Sequence, residues 1–168
     1  GWCGGTRCCI RSRAERQILE DSTTTLRTLV SGMRFEVLPL QGALARASRL
    51  PPGSQIAITA DPDQGMEPTI ELAVALAQAG FDVIPHLAAQ MISDRADLVG
   101  VVERLEAVGI DSALVVGGVS DTPGEYSTAH ELLEAIVDLD GPLQVFGIGG
   151  YPEGHHVIPD AAIDEAME

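Results

Sequence analysis

Residues Glu67–Gly118, EPTIELAVALAQAGFDVIPHLAAQMISDRADLVGVVERLEAVGIDSALVVGG, read as helix, strand, helix, strand. In Glu67–Ala79 the apolar residues Leu72, Ala75, Leu76 and Ala79 recur at three- and four-residue spacing, the period of one helix face. Leu98, Val101, Val102 and Leu105 repeat that spacing and predict a second helix over Arg95–Val108. Gly80 and Gly109 follow the two helices, where a left-handed residue closes the last turn. Short runs rich in Val, Ile and Leu come next, Asp82–His86 and Ala113–Val116, of strand length. Strands joined through a helix run parallel, so the stretch predicts a parallel sheet with helices packed outside it.

The same alternation extends outward. Phe35–Pro39, Gln55–Thr59 and Leu143–Gly147 read as further strands, Glu125–Asp138 as a helix ended at Gly141, and Gly42–Arg49 as a shorter helix. Strand starts every 20 to 31 residues suit either an open doubly wound sheet or a (β/α)8 barrel. A barrel of this type takes about 250 residues and eight strands. The fold expectation is therefore α/β of (β/α)8 type with five strands present, Asp160–Glu168 reading as the start of the fifth outer helix.

Composition narrows the function classes. With 45% hydrophobic residues in 168 the chain can bury a core, and no apolar run reaches the roughly 18 residues of a membrane span. Every basic residue is Arg, and 10 of them against 25 Asp and Glu leave a net charge of -15. Such a surface repels phosphate backbones and anionic membranes, leaving small molecules or proteins as partners. Six of the 10 Arg fall within the first 34 residues, whereas four Arg face 22 acidic residues from Phe35 onward. Cys3, Cys8 and Cys9 all lie in that Arg-rich stretch without Cys partners elsewhere. Residues 1–32 are thus expected to be a poorly ordered leader, with a helix over 14–30, and residues 33–168 the partial barrel, Met33 being a plausible natural start.

Parallel α/β folds place their chemistry at the C-terminal ends of strands. Glu36 lies in the first predicted strand, Thr59 closes the second, His86 the third, Gly117-Gly118 the fourth, and Gly149-Gly150-Tyr151 follows the fifth. Alternation puts Phe35 and Val37 on one face and Glu36 on the other. A carboxylate turned into a barrel would be desolvated and its pKa raised, preparing it for acid–base work. Read as an ordinary strand end, the same residue would simply meet solvent. His86 is either a rim histidine or a catalyst. Glycine doublets let backbone approach a flat or phosphorylated ligand, or merely make turns; neither has dinucleotide-fingerprint spacing. Glu153, His155 and His156 have no accepted metal-ligand spacing, so no metal is expected.

Five segments together resemble the methylenetetrahydrofolate reductase family: Phe35-Glu36-Val37-Leu38-Pro39, His86-Leu87-Ala88-Ala89, Val115-Val116-Gly117-Gly118, Pro123-Gly124-Glu125-Tyr126 and Gly147-Ile148-Gly149-Gly150-Tyr151-Pro152-Glu153-Gly154-His155. The resemblance implies a flavoprotein barrel that moves hydride from NADH or NADPH through FAD to a folate substrate in the cytoplasm. It gives Glu36 the role of the acid that assists folate protonation. Thr59, His86, Gly117, Gly118, Tyr126, Ser127, Tyr151, His155 and Asp164 become cofactor contacts. Where family members commonly carry Asp after the fourth-strand glycines, Val119 stands. The alternative is a non-catalytic remnant or interaction module of the same fold, its open edges covered in a homo-oligomer.

Overall fold

The computed structural model describes residues 22–30 and 32–149. The chain divides into two units, Gly1–Met33 and Arg34–Glu168. In the first, helix α1 spans residues 22–30 and is exposed throughout. The Thr28 hydroxyl donates to the Thr24 carbonyl at 3.0 Å, a local bond that lets threonine sit within a helix. The three cysteines and the earlier part of the expected helix lie outside the described residues.

In the second unit the elements alternate: β1 (Arg34–Val37), α2 (Ala43–Ala47), β2 (Gln55–Ile58), α3 (Glu67–Gln78), β3 (Asp82–Ala88), a 3-10 turn (Ala89–Met91), α4 (Arg95–Glu106), β4 (Ser112–Val116), α5 (Ala129–Val137) and β5 (Val145–Ile148). All neighbouring strands are parallel, and their spatial order is β1-β2-β3-β4-β5. A doubly wound sheet reverses its direction of growth partway across, whereas a barrel adds each strand beyond the last. The monotonic order decides for (β/α)8 architecture, of which the described residues form four consecutive strand-helix units and a fifth strand.

Register assigns the two faces. Phe35, Ile56 and Val83 line up across β1, β2 and β3, and Leu87 with Val115 across β3 and β4. From this face Ile56, Val83, Leu87 and Val115 join Ile70, Ala73 and Leu76 of α3, Leu98, Val101 and Leu105 of α4, and Leu132 and Ile136 of α5 in one apolar cluster. Fully burying a side chain of this size contributes about 1.5–3 kcal/mol. Pro85 sits where β3 exchanges partners, pairing with β2 up to Pro85 and with β4 from His86. A residue without an N–H fits at that changeover, since it cannot extend a ladder.

Two helix ends follow the expected device and one does not. Gly80 (φ 87°) and Gly109 (φ 75°) are left-handed, with Phe81 N–H returning to the Leu76 carbonyl and Ile110 N–H to that of Leu105. After α5 the left-handed residue is Asp140 (φ 49°), not Gly141. Gly141 instead approaches α4: a Cβ there would stand 3.1 Å from Val102 Cγ1. Helix α5 also begins at Ala129 rather than Glu125, because Thr128 takes the N-cap and accepts from Glu131 N–H at 3.2 Å.

Candidate functional site

The sheet face turned away from the helices carries the polar residues. Glu36 is in register with Ala57, Ala57 with Ile84, and one layer further along β3, His86 with Leu114 and Leu114 with Gly147. At the N-terminal ends of the strands Arg34 Nε donates to Gln55 Oε1 (3.1 Å) and Gln55 Nε2 to Asp82 Oδ2 (2.8 Å), tying the first three strands across this face. Toward the C-terminal ends the face is apolar, with Ala57, Ile84, Leu114 and Gly147 in register beside Glu36 and His86.

Glu36 lies on the expected face but is exposed, because β1 ends the sheet among the described residues and no strand covers its far side. The burial anticipated for its side chain is therefore absent. His86 is half-buried, and burial lowers its pKa below 6.5; Glu36's negative charge opposes that shift and Arg34's positive charge adds to it. The two candidate proton-handling groups thus sense one another across this face.

Thr59 serves the backbone. Its N–H and hydroxyl both donate to the Val37 carbonyl (3.0 and 3.2 Å), and its own carbonyl accepts from the buried Thr69 hydroxyl at 3.2 Å. Gly118 is left-handed (φ 74°), and a Cβ on it would stand 2.9 Å from the Ala88 Cβ. Gly117 differs: its φ is not positive and a Cβ there would meet nothing within 4 Å, so no packing within the described chain demands glycine. Tyr126 is buried in the apolar cluster, and burial pushes its phenol pKa up. Ser127 is exposed, its N–H donating to Glu131 Oε2 at 2.6 Å in front of α5. Tyr151, His155 and Asp164 lie outside the described residues, as do Glu153 and His156.

Gln90 and Gly124 were not legible as site residues. Gln90 bonds four points of the loop between β4 and α5. Gly124 lies flat on the Ile92 carbonyl, which a Cβ would strike. Away from the strand ends, a groove of about 440 Å³ runs between α4 and Leu139–Pro142 on the outer helical layer. Among the described residues no three His, Cys, Asp or Glu group as metal ligands, and no helix is long and apolar enough to cross a membrane.

Parallel β/α units of barrel order, with polar groups on the inner face and glycines at the end of β4, define the class of scaffold. No family model matches the chain. Over 112 residues, 67% of its length, it is 30% identical to a dihydroorotate dehydrogenase (quinone) of Pseudomonas fluorescens. That match spans 30% of the relative's length.

This similarity overturns the resemblance to methylenetetrahydrofolate reductase and the folate reduction drawn from it. The structure shows why the short segments misled. Gly118 and Gly124 are required by contact with Ala88 and Ile92, and Tyr126 by the core, needs that arise in a parallel β/α fold without any folate site. The longest segment, Gly147–His155, lies mostly beyond the described residues. FAD, NADH and NADPH were implied only through that family. The coarser expectation of an oxidoreductase is in keeping with the relative, a dehydrogenase.

Proposed function

We propose that the chain is the flavin-facing β/α portion of an oxidoreductase that dehydrogenates a small cyclic substrate of the dihydroorotate type, with FMN as the flavin and a quinone as final acceptor. Substrate and acceptor come from the name of the Pseudomonas fluorescens relative, and FMN from the enzyme class that name denotes. The observation that carries the reading is the position of Gly117 and Gly118 at the C-terminal end of β4, where parallel β/α folds bind their ligands, with nothing within 4 Å of a Cβ on Gly117. Ala57 beside Glu36, and the Leu114 side chain lying against Gly147, give the neighbouring face an apolar surface for a planar ring.

A bound flavin supplies a two-electron acceptor. The residues of this chain position the substrate and handle the proton. His86, held toward its neutral form by burial, accepts the proton released when the substrate gives up its hydride, and passes it to solvent. Glu36 stabilises the imidazolium formed, since its charge raises the pKa of His86.

The test is anaerobic mixing of the FMN-loaded chain with dihydroorotate. Loss of the visible flavin band is expected, slowed on the order of a hundredfold by His86→Asn, within the usual range for losing a general base. Retained FMN whose band stays unchanged would overturn the substrate assignment.

A further inference from the structure

We propose that Gln90 is a positioning residue that clamps the β4–α5 loop and so holds Gly117 and Gly118 in place at the end of β4; the ligand involved rests on the flavin reading above. Residues 117–128 form no helix or strand. Their order comes from bonds to the segment after β3, and Gln90 supplies four of them, one from each polar group it has. Its N–H donates to the Gly117 carbonyl (3.0 Å) and its carbonyl accepts from Gly124 N–H (3.0 Å). Its Oε1 accepts from Ser120 N–H (3.2 Å) while Nε2 donates to the Ser127 carbonyl (3.4 Å).

The side chain matters separately from the backbone. The far half of the loop has other anchors: Glu125 N–H donates to the Ser93 carbonyl, Arg95 N–H donates to Glu125 Oε2, both at 3.0 Å, and Gly124 packs on Ile92. Ser120 is held to the β3 side by the Gln90 carboxamide. That planar group offers an acceptor to Ser120 and a donor to Ser127 at once, which an ionised Glu, with acceptors only, and Met, with a weak acceptor and no donor, cannot do. Gly118 converts the restraint into position, because its left-handed turn sets the loop against Ala88.

Amide exchange and FMN affinity in Gln90→Met and Gln90→Glu test the inference on the full 168-residue chain. Gln90→Met should speed exchange at Ser120 about tenfold, the loss of one ordinary hydrogen bond, without changing exchange in β2 and β3. FMN binding should weaken on the order of fivefold as the loop loses its preorganisation. Gln90→Glu should also fail to restore wild-type affinity. Unchanged exchange at Ser120 would overturn the clamp. Exchange that rises uniformly while FMN affinity holds would mark Gln90 as structural only and overturn the positioning role. Should the wild-type chain take up no FMN, the flavin reading falls, and Ser120 exchange alone still decides whether the clamp exists.

Discussion

Gly118 answers two demands at once, a left-handed backbone and the 2.9 Å approach of Ala88, so Gly118→Ala should destabilise by about 1–3 kcal/mol in chemical denaturation. Gly117→Ala, with nothing near its Cβ and no positive φ, should leave stability within about 0.5 kcal/mol. An equal loss from both would contradict the distinction. His86 gives a pH signature. Its folded pKa lies below the ordinary 6.5, so between the two values the unfolded chain binds more protons and protonation favours unfolding. Its contribution is fully favourable above pH 6.5 and is lost as pH falls through that window. Melting temperature should therefore fall on acidification below 6.5, and His86→Gln should flatten that part of the profile. A slope identical in both proteins would exclude His86 as its source.

Among the elements, α4 and α5 begin alike. Asp94 Oδ1 accepts from Asp97 N–H (2.9 Å) and Asp97 Oδ2 from Ser93 N–H (2.9 Å), while Thr128 and Glu131 do the same in front of α5. These reciprocal caps fix where each helix starts, and Asp94→Ala should cost about 0.5–2 kcal/mol in denaturant titration. Leu105→Ala, in the middle of the apolar cluster, should cost about 2–5 kcal/mol by the same measurement. The Arg104–Glu67 pair at 2.7 Å links α4 to α3 but is largely exposed, so removing it should change stability by at most about 1 kcal/mol. Strands and helices were legible because hydrophobic period and glycine stops agree over Glu67–Gly118. The start of α5 was not, since Tyr126 adds an apolar residue at helical spacing while its burial comes from the loop. Nor was Asp140's place at the end of α5, where the adjacent Gly141 offered the stronger signal for a left-handed turn.

For the whole molecule, strand order could not be read from spacing alone, which fits barrel and doubly wound sheets equally; hydrogen-bonded register decides it. The inner face was legible at Glu36, from alternation, but its exposure depends on β1 lying at the edge. Gln90 stayed hidden because a single glutamine carries no pattern, and its partners come together only when the β4–α5 loop returns to β3. Among the described residues β1 and β5 leave open edges, and Val145 and Ile148 of β5 are more than half exposed. Flavin binding at the end of β4 is tested by the visible spectrum of the chain after incubation with FMN and removal of free flavin, alongside Gly117→Val. A flavin band retained by the wild type and lost from an equally folded Gly117→Val would place the ring beside β4; a colourless, folded wild type would contradict it.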